Sequence, residues 1–594
     1  MNITLSFWLG VFILAGSAAL AVWLSTRKQR RGMLDPLNVL FGGVLLSGIV
    51  LFVPAYFVQE AEGPLQFLKS LLFAIYSAIR LFAAEGDYSV IYDGIADGGI
   101  APWYLAVASL LMVLAPALTF GVVLSFFSNL SSTFRYLLSY FRDTYIFSEL
   151  NEASLALATD LRKQKPGIAL VFTDVFEPEE DEAYELREQA KDIGAVLFKK
   201  DILAVRFGFH DPRRSLWFFA IARDEGANID HALRLVEQYG DRKNTHLYVF
   251  STSVEGEALL SAAHERTMKV RRVDEVQSLI SRTLYDDGQV LFQNAREEDD
   301  GTKAISAVVV GLGKHGTAMV KALSWFCQMD GYRVRINAFD RDELAEERFS
   351  ALCPELMDPR YNGVYVDGEA QYYIRIHSGV DVDTKTFADR IRQLNDATYV
   401  LVSLGDDALN IQTALRLRML FERCGAKPAI HAIVRSSEKR HALEGLKNYR
   451  GQPYHIDFIG DLESSYAEKV IIDSELEEEA LRRHLRWGAE KEFWGYEYNY
   501  RSSMALAIHA RAKALCGIPG AQKSDEELTE QERLELEVLE HRRWNAYMRS
   551  EGYIYSGSPD KSSRNDLGKM HHDLVSFDNL SEEDKRKDSR VGSA

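Results

Sequence analysis

Ile305-Ser-Ala-Val-Val-Val310 runs straight into Gly311-Leu-Gly313-Lys-His-Gly316, and this stretch decides the fold. An apolar run that ends in a glycine-rich turn reads as a buried strand followed by a helix, here predicted over Thr317–Phe326. Each glycine has its own physical task. The first permits the tight turn, the second lets a pyrophosphate approach the backbone, and the third lets helix and strand pack closely. The unpaired N–H groups at the helix start then face the phosphates. A second strand, predicted over Tyr332–Phe339, ends in Asp340-Arg-Asp342, an acid about twenty residues on, where a ribose hydroxyl would be held.

Working outward, Ala397–Leu404 reads as a strand ending in Gly405-Asp-Asp-Ala-Leu-Asn410, with another strand at Ile430–Val434. Residues 304–460 therefore form a Rossmann-type unit. Its candidate ligand-binding residues are Gly311, Gly313, Lys314, His315, Gly316, Asp340, Asp342, Gly405, Asp406 and Asn410. The same grammar occurs earlier. Tyr145–Ser148, Ile168–Thr173, Ala195–Phe198, Ser215–Ala220 and Thr245–Phe250 are predicted strands, and Ala153–Leu161 a helix. In this copy Ser148, Leu150 and Ala153 occupy the three glycine positions, so side-chain bulk blocks a pyrophosphate. Residues 143–280 are read as a nucleotide fold that kept its shape and lost that site.

The pairing resembles the RCK (TrkA-N) regulatory domains of potassium channels and transporters. The resemblance is carried by Val308-Val-Val-Gly-Leu-Gly-Lys-His-Gly316, Asp340 and Ser403-Leu-Gly-Asp-Asp-Ala-Leu-Asn410. It covers about half of the chain, with the second copy matching more firmly than the first. It implies a gating ring assembled from several subunits under a pore, with a nucleotide or an ion biasing two states. NAD(H), a related adenine nucleotide or an ADP-ribose derivative is the expected ligand.

Ahead of both folds lie apolar segments, read as spans at about 5–25, 36–58 and 102–127 of a membrane region covering 1–130. Charge follows the first span, in Thr26-Arg-Lys-Gln-Arg-Arg31, whereas a signal peptide carries its charge before the apolar core. An uncleaved anchor is therefore expected. With Arg135 and Arg142, these basic residues place the N-terminus outside and everything after Ser128 in the cytoplasm, in a multi-pass inner-membrane protein. Residues 64–90 hold an amphipathic stretch and then Glu85-Gly-Asp87. A span, a short helix, a Gly-Asp loop and another span resembles the layout of tetrameric cation channels. The Thr-Val-Gly-Tyr-Gly carbonyl filter is absent, so Glu85 and Asp87 become candidate carboxylate rings. An interfacial helix with an extracytoplasmic loop is the alternative.

The remaining composition narrows the choices. A net charge of −17 and no basic block beyond the run near Arg27 argue against nucleic acid as a partner. Cys327, Cys353, Cys424 and Cys516 show no CxxC spacing, which fits a reducing cytoplasm and no structural zinc.

After a helical connector at 461–530, the tail at 531–587 contains Glu540-His541-Arg542-Arg543-Trp544-Asn545, then Glu551-Gly-Tyr553-Ile-Tyr555, then His571-His-Asp-Leu574. These motifs resemble the RyR domain, the small repeat named after ryanodine receptors. The chain departs from the family pattern at Arg542, Ser556 and His572. The resemblance implies a small, mainly helical domain. Trp544, Tyr553 and Tyr555 offer faces for a base, and Arg501, His541, Arg543, Asn545 and His571 offer donors. A core role for Trp544 is the simpler alternative. The short cluster of two histidines and Asp573 is read without a metal.

The expected fold is thus an α-helical membrane region, two Rossmann-type α/β domains and a helical tail. The expected function is a ligand-gated, channel-like homo-oligomer, a tetramer by analogy, that senses a nucleotide-derived signal. Spans joined to an RyR-like module also resemble effectors of antiphage defence. A membrane-anchored NAD(P)-dependent oxidoreductase and an RCK-type regulator of potassium transport are the alternatives. Against the former, the glycine-rich fold has no Tyr-x-x-x-Lys pair placed as a proton donor.

Overall fold

The computed structural model describes residues 3–26, 36–60, 63–86, 88–95, 100–126, 128–174, 181–208, 210–253, 266–363, 371–524 and 526–589. The chain divides into two compact units, Met1–Arg135 and Tyr136–Ala594.

The first unit is helical: α1 (Ile3–Thr26), α2 (Pro36–Gln59), α3 (Gln66–Phe82), α4 (Tyr88–Ile95) and α5 (Ala101–Phe126). Stretches Ile3–Ala21, Val39–Gln59 and Ala101–Phe120 are long and apolar enough to cross a membrane. Polar side chains inside this unit find partners, as a hydrocarbon surrounding demands. Ser47 donates to the Gly10 carbonyl at 2.9 Å, Tyr104 to the Leu51 carbonyl at 2.7 Å, and Tyr56 and Ser77 share a bond of 2.6 Å. Helix α3 buries a face of small residues, Ser70, Ala74, Ser77 and Ala78, and exposes Phe67, Leu72, Tyr76 and Ile79. Glu85 is exposed and pairs with Arg80 at 3.3 Å, while Asp87 and Arg27–Arg31 lie outside the described residues.

The second unit holds two parallel-sheet α/β folds of Rossmann type. In the first sheet, β1 (Thr144–Phe147), β2 (Ala169–Phe172), β3 (Val196–Leu197), β4 (Leu216–Ala220), β5 (Thr245–Phe250) and β6 (Lys269–Val273) are ordered 3-2-1-4-5-6. The second sheet consists of β7 (Arg296–Glu297), β8 (Lys303–Val310), β9 (Tyr332–Phe339), β10 (Tyr372–His377), β11 (Tyr399–Val402), β12 (Ala429–Ile433) and β13 (Ile456–Ile459). Its parallel strands run 10-9-8-11-12-13, the same winding, with β7 antiparallel on β8. In each sheet the order reverses beside the first long strand, which opens a crevice at the carboxyl ends.

Two boundaries differ from the sequence reading. The helix Glu275–Asp287 starts inside the span assigned to the first fold. Its Val276, Ile280 and Leu284 nevertheless pack with Ile305 and Val309, so it belongs to the second core. The connector and tail are not packed apart either. Ile508, Leu539, Met548, Tyr553 and Leu574 join that same cluster, because the tail helix Glu530–Ser550 lies against the helix Lys314–Phe326.

Buried and half-buried histidines tie this unit's stability to pH, and two of them show how. His246, stacked on Trp217 at 3.8 Å, and His377, stacked on Phe339 at 4.4 Å, are both pulled down to about 4, first by burial and then by neighbouring cations. The folded state therefore binds fewer protons than the unfolded chain between pH about 6.5 and about 4. Stability should be full above that window and fall on acidification through it. Replacing both histidines by Phe should lessen the loss of unfolding free energy on acidification through that window, read from urea unfolding at several pH values; an unchanged pH dependence would assign it to other groups.

Candidate functional site

The glycine-rich turn sits at the reversal point of the second sheet. Gly311 has φ +93°, a conformation that costs glycine least, and a Cβ there would meet the Ser403 carbonyl oxygen at 2.5 Å. Gly316 is tighter still: a Cβ would lie 1.8 Å from the Gly311 carbonyl oxygen. Ser403 Oγ donates to that carbonyl at 3.0 Å and ties the turn to β11. Around Gly313 the situation reverses. A Cβ would find no heavy atom within 4 Å, and Gly313 caps the helix Lys314–Phe326 with no side-chain bond. Among the described residues no side chain caps the start of this helix, and Gly313, Lys314 and His315 line a cavity.

The first fold is closed at the equivalent place. Asn151 Oδ1 accepts from Ser154 N–H at 2.9 Å, and Ser154 Oγ accepts from Asn151 N–H at 3.0 Å, a reciprocal cap that uses the groups a phosphate would need. Ser148 is buried and accepts from Ile221 N–H at 2.9 Å.

A cavity of about 890 Å3 covers the open turn, near the top of the ~300–1,000 Å3 typical of ligand sites. Gly311, Gly313, Lys314, His315, Asp340, Gly405, Asp406 and Asn410 line it. The carboxylate of Asp340 accepts from Leu312 N–H at 2.6 Å and from Asp342 N–H at 2.8 Å, so it braces the turn while facing the cavity. Asp342 lies off the cavity wall and pairs with Arg348 at 2.7 Å. Gly316 is buried beneath the turn, where it serves packing rather than contact. Asn410 spends its amide on the backbone, accepting from Leu404 N–H at 2.7 Å and donating to the Ile433 carbonyl at 2.8 Å. Asp406 caps its helix through Leu409 N–H at 2.8 Å. Burial, aided by Arg435 and Lys314, holds the His315 imidazole below its usual range, so it is neutral near pH 7.

Other wall residues were not anticipated. Arg435 follows β12, Gly460 and Asp461 follow β13, and Tyr466 and Glu275 come from further elements. Arg435 and Asp461 stand just past the carboxyl ends of strands, where ligands of such sheets bind, and that rule applied to every strand would have found them.

In the tail the expected pocket residues part company. His541, Trp544 and His571 gather, with ring centroids 5.7 and 5.0 Å from Trp544, and Asn545 donates to the Val575 carbonyl at 2.8 Å. Arg543 does not join them. It points inward and donates twice to Glu540 Oε1, at 2.9 and 2.8 Å, both side chains being 2 % exposed. The reason is charge pairing, since the buried Glu540 carboxylate three residues back draws the guanidinium inward. Arg501 is also elsewhere, paired with Glu551 at 3.1 Å beside Lys321. Tyr553 is buried in the shared core, and Tyr555 gives its N–H to Glu355 at 2.9 Å. His571, His572 and Asp573 bring their nitrogen and oxygen atoms within 4.8 Å of one another.

No protein-family model and no curated protein matches the chain. Among solved structures, a dipicolinate synthase chain from Bacillus halodurans aligns over 56 % of this chain and 95 % of its own, at 9 % identity. Its TM-score of 0.19 is too low to carry an argument about fold or function.

Proposed function

We propose that the chain is a ligand-gated membrane protein whose second Rossmann-type fold, RCK-like in character, binds a nucleotide-derived signal on the cytoplasmic side of the inner membrane. The apolar helices form the responding part and conduct ions in a homo-oligomer, and the RyR-like tail locks the sensor's core. One observation carries the reading: an uncapped, glycine-lined helix start opens into an 890 Å3 cavity on a chain that also carries three apolar helices of spanning length. Phosphates would take the N–H groups of Gly313–Gly316, and Asp340 a ribose hydroxyl.

The test uses the full chain in proteoliposomes. NAD+, ADP-ribose and ADP are titrated by calorimetry, and ion flux is followed at saturating ligand. Saturable binding with ligand-dependent flux is the expected result. Binding without flux would sink the gating role, and no binding would sink the sensor role.

A further inference from the structure

The segment Tyr136–Arg142, which leads into β1, is amphipathic the wrong way round for a protein surface in water. Tyr136 and Ser139 are buried, and the Tyr136 ring meets Phe198 and Phe207 edge-on at 6.5 and 5.6 Å. Leu137, Leu138 and Phe141 turn outward instead, and Leu138 and Phe141 are 67 % and 71 % exposed. Tyr140 N–H donates to the Leu137 carbonyl at 3.3 Å and Arg142 N–H to the Ser139 carbonyl at 2.9 Å. In such tight turns residues three apart lie over one another, so Leu138 and Phe141 form one patch. The buried Tyr136 fixes that patch outward.

The patch is set among cations. Asp211 N–H donates to the Tyr140 carbonyl at 3.2 Å and His210 Nε2 to the Arg142 carbonyl at 2.9 Å, which ties the loop before β4 to this segment. Asn244 Nδ2 donates to the Pro212 carbonyl at 3.2 Å and adds the loop before β5. Arg142, Arg213, Arg214 and Lys243 are exposed on these loops, at the end of the first sheet opposite its crevice. The acids of the same loops are engaged. Asp143 accepts from Ser215 N–H at 2.8 Å, Asp211 from Arg213 N–H at 3.0 Å, and Asp241 pairs with Arg266 at 2.9 Å. A chain of net charge −17 thus gathers positive charge around an exposed apolar patch.

We infer that this end of the first fold rests on an anionic bilayer surface, with Leu137, Leu138 and Phe141 at the tops of the acyl chains and the four cations on headgroup phosphates. The inference rests on the apolar helices lying in a membrane, and extends that contact to the α/β unit. Two observations select lipid as the occupant. Residues 127–136 alone separate Leu137 from the last apolar helix, which ends at Phe126, and a chain of that length reaches at most about 40 Å. An apolar patch among arginines and lysines is also what interfacial segments present to headgroups, each cation near an anionic leaflet contributing about 1 kcal/mol. Lipid charge and salt then act on the first fold directly.

The test places the full chain in nanodiscs of phosphatidylcholine with a quarter phosphatidylglycerol. A fluorophore is attached at Leu138→Cys and, as the aqueous reference, at Leu567→Cys, a fully exposed loop position. The unmodified protein, labelled in parallel, supplies the background of the native cysteines. Doxyl-lipid should quench the Leu138→Cys label about threefold or more over the reference, and iodide about threefold or more less. Arg213→Glu with Arg214→Glu, or pure phosphatidylcholine, should at least halve the lipid quenching. Phe141→Cys takes the place of Leu138→Cys should that variant unfold early in a thermal melt. Equal access of iodide to both positions overturns the inference. Shielding from iodide without quenching by lipid means that protein, such as a second copy of the chain, covers the patch, and overturns it as well. Lipid quenching that ignores both the charge reversal and the lipid charge overturns the anionic surface. Protein that does not enter nanodiscs removes the membrane reading, and the inference with it.

Discussion

Gly313→Val is expected to weaken nucleotide binding at least a hundredfold, about 2.8 kcal/mol, without lowering the temperature at which the protein unfolds. The backbone at Gly313 has φ −65° and ψ −166°, extended values that a β-branched residue adopts freely. Among the described residues no heavy atom beyond its chain neighbours stands within 4 Å of the added Cβ, so the side chain enters the cavity proposed for the ligand. Gly316→Ala is the contrasting case. A single methyl there strikes the Gly311 carbonyl oxygen and Ser403 Oγ, at 1.8 and 3.0 Å, and should cost about 2–3 kcal/mol of stability through overpacking. Calorimetry and thermal unfolding on the two variants separate the effects. Should Gly313→Val retain full affinity, the phosphates do not lie on this turn; should it unfold early, the turn is packed too tightly to admit them.

Glu540→Ala is expected to destabilise the second unit by about 3–5 kcal/mol, the cost of breaking a buried ion pair from one side. Glu540 brings its carboxylate to Arg543, Lys513 and His509, which are 1 %, 1 % and 0 % exposed. It takes two bonds from Arg543, and its other oxygen lies 3.7 Å from Lys513 Nζ and 4.0 Å from His509 Nδ1. Burial pushes the Lys513 ammonium down and His509 well down, with Glu540 opposing the shift at Lys513. Removing the carboxylate leaves two buried cations facing each other. Urea unfolding followed by tryptophan fluorescence measures the loss. A loss under about 1 kcal/mol would mean that water enters the cluster and screens it, and that the tail helix is held by its apolar contacts and by the Arg542–Asp330 and Arg549–Glu355 pairs.

The central strands were legible because they are buried on both faces and read as unbroken apolar runs. The predicted Tyr332–Phe339 and Thr245–Phe250 match the observed strands residue for residue. Lys269–Val273, Tyr372–His377 and Ile456–Ile459 were missed, and all three are outermost in their sheets. An edge strand alternates polar with apolar residues, as the exposed Arg375 and the Glu477-paired Arg271 do, so its apolar signal is halved. The phosphate turn and Asp340 were legible for a different reason: they are close in sequence, and their spacing alone implies the geometry. Arg435 reaches the same place from just past a strand's carboxyl end, whereas Glu225 and Thr252 reach Lys314 from the other fold, which no local spacing marks. In the tail, residue types suggested a cluster of donors, but motif order does not say which helix face turns inward. The inward turn of Arg543 and the separate grouping of Trp544 with His541 and His571 follow from the Glu540 pair, which only the folded helix reveals.

The apolar core that joins Val276 and Ile305 to Leu539 and Leu574 also imposes a schedule on synthesis. A nascent chain emerging at about 5–20 residues per second must wait tens of seconds between the first contributors and the last. During that interval the glycine turn exists as sequence, yet its sheet has one face uncovered. The first fold has its whole sheet by Val273, yet Tyr466, Ile471 and Ile472 complete one of its cores, so it too waits for residues made after the second sheet. The apolar helices are therefore made first, and both sheets receive their last covering residues only after the second sheet is complete.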